Sequence, residues 1–208
     1  MHTMDQLVLG LDRALRTLNG LTRAHRESPA AQIDDEGLPE QNRAHVAGLM
    51  RINHTGEVCA QALYEGQALT ARSDTARDAL LHAAEEEGDH LVWCRERLEQ
   101  LDSRPSVLDP LFYTASFALG AVTGLAGDKI SLGFVEATED RVVKHLEAHM
   151  EEVPYSDKKT HAILAQMRED EAHHADQALG LGGVTFPAPV KALMTAVSKV
   201  MTLTTYRI

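Results

Sequence analysis

The sequence predicts an all-α fold: a four-helix bundle with one additional amphipathic helix at each end. Three observations predict it. Aromatic residues are only 4 % of the 208 residues although hydrophobic residues reach 44 %, so alanine and leucine rather than rings must fill the core. Apolar residues recur at helical spacing through four long segments. Two of those segments also carry a Glu-x-x-His, Glu87-Gly-Asp-His90 and Glu171-Ala-His-His174, and each is preceded one segment earlier by a glutamate, Glu57 or Glu139. Glu57 stands 30 residues before Glu87 and 33 before His90; Glu139 stands 32 before Glu171 and 35 before His174. One helical hairpin, used twice, accounts for both spacings.

The elements follow in order. Residues 4–18 read as an amphipathic helix with Leu7, Leu11, Ala14, Leu15 and Leu18 on one side. A linker rich in Pro, Gly and acids runs from Ser28-Pro29 to Leu38-Pro39. The first bundle helix spans 40–72, with Val46, Leu49, Met50, Asn53, Glu57, Ala60, Tyr64 and Ala68 in its stripe. The second spans 74–102, with Leu80, Ala83, Ala84, Glu87, His90, Leu91, Cys94, Leu98 and Leu101 in line. The third begins after Pro110, carries Leu132, Val135, Glu139, Val142, Leu146 and Met150, and ends near Glu152. Pro154 breaks the chain, and Ser156 is a suitable N-cap for the fourth. That helix aligns Leu164, Met167, Glu171, His174 and Ala178 before Gly180, Gly182 and Gly183 stop it. After Phe186-Pro-Ala-Pro189, residues 190–204 form a last helix with Val190, Leu193, Met194, Val197 and Met201 on one face. The whole chain, 1–208, is expected to be one domain, with 1–26 and 184–208 as its amphipathic ends.

The glutamates and histidines sit inside apolar stripes, where an uncompensated charge is expensive. Residues three apart share a helix face, so Glu87 and His90 point one way, as do Glu171 and His174. A glutamate from each of two helices and a Glu-x-x-His from each of two others is the ligand set of di-iron and di-manganese carboxylate bundles. Two divalent ions balance four carboxylates, and oxygen donors with a few imidazoles suit iron or manganese. Neighbouring acids compete for these roles. Of Glu85, Glu86 and Glu87, only Glu87 shares the stripe and has His90 three residues on; Glu139 matches the first hairpin's spacing better than Glu136; Asp170 and His173 lie off the stripe that holds Glu171 and His174.

The formal net charge of −11 is uneven: +2 over residues 1–26, +3 over 184–208 and −16 between them. An acidic body excludes nucleic acid as a partner, and basic, apolar ends suit an anionic membrane surface. Pro110 to Gly127 is an uncharged run of 18 residues, read either as a buried first half of the third helix or as a half-helix open to lipid. The terminal helix suits either the membrane interface or docking on the bundle. Cys59 and Cys94 form no C-x-x-C and read as core residues. The N-terminus has no hydrophobic signal core, which predicts a reducing compartment. No Gly-x-Gly-x-x-Gly is present to bind a dinucleotide.

Several motifs occur together: Arg51-Ile-Asn-His-Thr-Gly-Glu57 with Tyr64-Glu-Gly-Gln67; Glu87-Gly-Asp-His90; Ser131-Leu-Gly-Phe-Val-Glu-Ala-Thr-Glu139 with His145; and Met167-Arg-Glu-Asp-Glu171-Ala-His-His174. Over residues 40–208 the chain resembles the bacterial demethoxyubiquinone hydroxylase family of ubiquinone biosynthesis. The resemblance implies a ferritin-like di-iron monooxygenase that uses O₂ to hydroxylate the ring of a polyprenylated demethoxyubiquinol. It implies two irons held by Glu57, Glu87, His90, Glu139, Glu171 and His174, with manganese as a substitute, and an external electron donor such as NADH. It also implies a peripheral protein on the cytoplasmic face of the inner membrane; eukaryotic members work with a lipid-binding partner, of which this sequence carries no sign. Tyr64 and His145 are candidates for contacts around the ligands or with substrate. The alternative is a ferritin-like ferroxidase or iron-binding protein, which explains the six ligands but not the apolar run. A peroxide-reducing di-iron protein is disfavoured by the missing C-x-x-C module.

Overall fold

A computed structural model describes residues 3–34 and 37–208, and all of its regular structure is helical. Its seven helices are α1 (Thr3–Asn19), α2 (Glu40–Thr70), α3 (Asp74–Gln100), α4 (Asp109–Leu125), α5 (Asp128–Glu152), α6 (Lys158–Gly180) and α7 (Ala188–Thr205). Helices α2, α3, α5 and α6 form the ferritin-like bundle, and α4 is its long crossover connection.

Two apolar clusters hold the bundle at its two ends. One joins Val46, Leu49 and Met50 of α2 to Trp93 and Leu98 of α3, Leu146 of α5 and Ile163, Leu164 and Met167 of α6. The other joins Ala60, Tyr64 and Ala68 of α2 to Leu80, Ala83 and Ala84 of α3, Leu132 and Val135 of α5 and Ala178 of α6. The order in which each helix visits these clusters fixes its direction. Helices α2 and α6 run one way, and α3 and α5 the other. The expected stripes of α2, α3 and α6 are all buried.

Where a single helix was expected from after Pro110 to Glu152, the structure has two. The break is Gly127, whose φ of +112° is open to glycine and strained for other residues. The reason is directional: α3 ends at one end of the bundle and α5 must begin at the other. Helix α4 makes that return alongside α2, and the chain reverses at Gly127. Asp128 fixes the reversal by accepting the backbone N–H groups of Arg72 and Ser73, both at 2.9 Å, from the α2–α3 connection.

The α2–α4 contact is made by glycines. A Cβ on Gly66 would lie 2.2 Å from the Phe117 carbonyl oxygen, and one on Gly120 would lie 2.1 Å from that of Leu63. Apart from Tyr113 and the partly buried Phe117, the inward side of α4 is small, and Leu111, Leu119, Val122 and Leu125 point outward. Of the two readings of the 110–127 run, the half-helix with an open apolar side is the observed one. None of the described helices is long and apolar enough to cross a membrane.

The ends differ from expectation in detail. In α1, Ala14 and Leu18 pack on the bundle, whereas Leu11 and Leu15 are exposed; the side chain of Leu7 lies outside the described residues. The 28–39 linker docks rather than hangs free: Ala30 is buried in the first apolar cluster, while Asp35 and Glu36 lie outside the described residues. Helix α7 is tied down by Lys191 on Glu136 at 2.8 Å and by Tyr206 on His45 at 2.7 Å, and it leaves Leu193, Val197, Val200 and Leu203 exposed.

The N-cap of α6 is Asp157, not Ser156. Asp157 accepts the Thr160 N–H at 3.0 Å and also meets the buried Arg97 of α3, whose Nη2 lies 2.8 Å from it. Asp157→Ala is expected to remove the cap together with the carboxylate that Arg97 Nη2 meets. We expect a loss of ~3–5 kcal/mol, the usual cost of breaking a buried pair from one side, measured by urea unfolding of the metal-free chain.

Candidate metal centre

Each bundle helix changes chemistry midway between the two apolar clusters. In α2 the change comes at Glu57, in α3 at Glu87 and His90, in α5 at Glu139, and in α6 at Glu171 and His174. All six residues are buried, none more than 3 % exposed. The result is a layer of four carboxyl groups and two imidazoles packed between hydrocarbon on both sides.

Donor atoms of Glu57, Glu87, His90 and Glu171 all lie within 4.8 Å of one another. His90 Nδ1 is 3.0 Å from Glu171, 3.2 Å from Glu87 and 3.6 Å from Glu57. His174 Nδ1 completes the opposite side, 3.0 Å from Glu171 and 3.3 Å from Glu87. Glu139 stands at the margin and accepts the Tyr64 hydroxyl. Both imidazoles thus turn Nδ1 inward, and Glu87 and Glu171 sit between them.

The neighbouring acids separate cleanly. Glu85 and His173 are exposed, and Glu136 faces Lys191 on α7. Glu86 and Asp170 have roles that the sequence did not reveal. Asp170 on α6 lies 2.8 Å from His90 Nε2 across the bundle, and Glu86 on α3 lies 2.9 Å from His174 Nε2. Each acid precedes a Glu-x-x-His glutamate and holds the histidine of the other helix. Adjacent acids in the sequence hint at such roles, but only packing shows which histidine each one meets. Arg26 was also missed: it bonds both Asp89 and Asp170 from the segment before α2. His145 is not at the cluster. It stands with His149 in a cavity of about 580 Å³ between α2, α5 and α7, their ring centroids 3.9 Å apart. Burial lowers both, His145 to about 4 with Arg141 adding to the effect and His149 to about 3, so they are neutral imidazoles.

Without metal, the layer is balanced by protons. Burial pushes the Glu57 and Glu139 carboxyls well above the usual range, and the neighbouring Glu87 and Glu171 add to this. Burial would also raise Glu87, but hydrogen bonds from His174 and His90 outweigh it and hold Glu87 below the usual range. Burial works against the charged imidazoles too. Bonds to Asp170 and Glu171 nevertheless push His90 well up, and bonds to Glu171 and Glu87 carry His174 to about 12. The donor set fits divalent metal. Glu87 Oε1 and Glu171 Oε1 are buried and face inward imidazole nitrogens, His174 Nδ1 at 3.3 Å and His90 Nδ1 at 3.0 Å, a set of oxygen and nitrogen donors that a cation could take over from the protons. Both inward Nδ1 atoms would also be free to ligate once deprotonated, with Nε2 already oriented from outside.

Metal uptake is therefore expected to expel protons, including one from each of His90 and His174. Because protons compete for the same donors, affinity should fall as pH drops and rise as pH increases through neutrality. Calorimetric titration with Mn(II) in buffers of different ionisation enthalpy measures the release, which should be at least two protons per filled centre.

Comparison with known proteins shows the chain's family. Residues 44–205, which include all six central residues, match the family described as "Ubiquinone biosynthesis protein COQ7". Over 207 residues the chain is 60 % identical to a 3-demethoxyubiquinol 3-hydroxylase of Ectopseudomonas mendocina, covering 99 % of this chain and 96 % of that one. Proteins with the same description from Pseudomonas putida and Pseudomonas savastanoi pv. phaseolicola are each 58 % identical, at the same coverage of both chains. With a family match that runs from early α2 to the last residue of α7, the chain belongs to the COQ7 family of ubiquinone biosynthesis proteins.

Proposed function

We propose that this chain is a di-iron monooxygenase that hydroxylates the ring of a polyprenylated demethoxyubiquinol. The observation that carries the reading is the buried layer of four carboxyls and two inward-facing imidazoles in a chain of this family. Overall, a ring C–H becomes C–OH, the second oxygen atom leaves as water, and an external donor such as NADH supplies the two electrons.

Glu57, Glu87, His90, Glu139, Glu171 and His174 would hold two irons, with manganese accepted by the same donors. Bound iron would supply the activation of O₂. The rest is done by the chain. Asp170 and Glu86 fix the two imidazole rings from outside, and Tyr64 holds Glu139 in place. Leu80, Ala83, Leu132 and Val135 line an apolar cleft that reaches Tyr64 and His174 and excludes water from that side. At about 20 Å³ the cleft is too small for a quinol ring, far below the ~300 Å³ of ordinary ligand pockets. A quinol ring entering here has to displace these aliphatic side chains, which would then enclose it against the centre.

The substrate's polyprenyl tail places it in a bilayer, so we assign the protein to the cytoplasmic face of the inner membrane as a peripheral protein. The exposed apolar sides of α4 and α7 support this. The ferroxidase alternative has no comparable support, since a soluble store has no use for such sides.

Two experiments test the proposal. Anaerobic iron-loaded protein given a demethoxyubiquinol analogue, reductant and ¹⁸O₂ should yield product carrying one ¹⁸O, read by mass spectrometry. Glu171→Ala should give none while keeping its helical circular dichroism; normal turnover by that variant would remove Glu171 from the ligand set. Separately, a Leu193→Glu, Val197→Glu double variant should lose most of its co-sedimentation with anionic phospholipid vesicles while remaining folded. Unchanged sedimentation would mean that α7 does not meet the membrane.

A further inference from the structure

The segment between α1 and α2 lies outside the family match, yet it reaches the outer edge of the metal layer. Residues 20–31 form a strap across α3. His25 donates its backbone N–H to Asp89 at 2.6 Å, and the Arg26 carbonyl oxygen lies 3.4 Å from the Trp93 indole nitrogen. Ala30 anchors the far end in the core. Asp89 is nearly buried and has no part in the inner cluster, so its carboxylate serves the strap.

What the strap carries to this point is Arg26. Its Nε donates to Asp89 at 2.6 Å, its Nη2 lies 2.8 Å from Asp170, and its plane stands 5.0 Å over the Trp93 ring. One planar fork spans two carboxylates on two helices, which an ammonium group does not reproduce. The Asp170 oxygen that meets Arg26 is the same Oδ2 that meets His90 Nε2, while Gln166 holds the other oxygen at 3.0 Å. Asp170 therefore has no freedom to turn away from His90.

The equivalent acid on the other half is held differently. Glu86, which meets His174, also lies 3.9 Å from the exposed His82, and its side chain is 32 % exposed against 16 % for Asp170. The inner ligands of the two halves are alike, but their outer supports are not.

We propose that Arg26 is a positioning residue of the metal centre: by locking Asp170 onto His90 it makes the His90 metal position the tighter of the two, so the sites fill in order. The inference rests on the proposed metal centre. Its reasoning is orientational: a ligand histidine binds best when its outer nitrogen is held, and loss of such support commonly costs 10–100-fold in affinity.

The test is anaerobic Mn(II) titration of the full-length, metal-free chain, followed by calorimetry and electron paramagnetic resonance. In the wild type, a protein-bound mononuclear signal should grow up to one equivalent and give way to a coupled pair as the second ion enters. Arg26→Gln should weaken the first step by about tenfold or more and merge the two steps, leaving the second within twofold. The mirror variant Glu86→Gln should weaken the second step and spare the first. Arg26→Lys keeps a cation for Asp89 and the strap in place, but cannot span both carboxylates. It should also weaken the first step, and it carries the test if Arg26→Gln does not fold. A wild type that loads both ions in one step, or an Arg26→Lys isotherm that overlays the wild type, overturns the proposal while leaving the metal centre intact. A wild type that takes up no Mn(II) overturns both.

Discussion

Four carboxyl groups and two imidazoles occupy one slice of a helical bundle, with hydrocarbon above and below. Desolvating ions on this scale costs several kcal/mol per group after relaxation, so the slice exists only because its charges are matched within it. The metal-free chain matches them with protons: Glu57 and Glu139 are driven toward the neutral acid, while His90 and His174 hold their charge against burial. The rest of the bundle follows from this constraint. The layer itself contributes little packing, so the helices must be held together at its two sides. The clusters around Met50 and Leu98 and around Leu80 and Val135 stand at those places.

Around the layer, the structure uses one device twice. Each Glu-x-x-His glutamate is preceded by an acid, and that acid crosses to the other helix's histidine. Helices α3 and α6 are thereby cross-linked through polar contacts at the height where apolar contacts are missing. The same contacts decide which imidazole nitrogen faces inward, so stability of the layer and orientation of the proposed ligands share one set of bonds. The duplication stops at the outer edge, where the strap reaches one half and solvent the other.

Much of this was legible because it is periodic. Glu57, Glu87, His90, Glu139, Glu171 and His174 lie in stripes whose apolar members fix the helix face, and a residue on that face must be buried. Choosing Glu87 over Glu85, or Glu139 over Glu136, needed only stripe and spacing; Glu87 is buried where Glu85 is exposed, whereas Glu136 is buried as well and is set apart by facing Lys191 while Glu139 faces Tyr64. Contacts between elements were not legible. Nothing local in Asp170 says that it meets His90, and Arg26 sits in a stretch without periodicity. The break at Gly127 was missed for a related reason. Pro110 to Glu152 contains no proline after its first residue, and a glycine inside a helical pattern is tolerated; only the direction of the neighbouring helices requires the chain to turn there.

The glycines of the α2–α4 contact bear on where the protein works. A helix on a water-soluble bundle usually buries its large apolar residues and exposes small or polar ones. Helix α4 buries Tyr113 and part of Phe117 near its start, but along its second half it does the reverse. Gly120 and Gly124 lie against α2, close enough that Cβ atoms would collide, and Leu111, Val122 and Leu125 face outward at 63–65 % exposure. Small residues inside and large apolar residues outside is the arrangement of helices packed in lipid, where close backbone approach replaces hydrophobic burial as the source of cohesion. In water this exposed surface is a cost; against a bilayer it is not. Because α4 is also the crossover that brings the chain back for α5 and Glu139, the element that completes the buried layer is the one whose outer side suits the lipid phase of the proposed substrate.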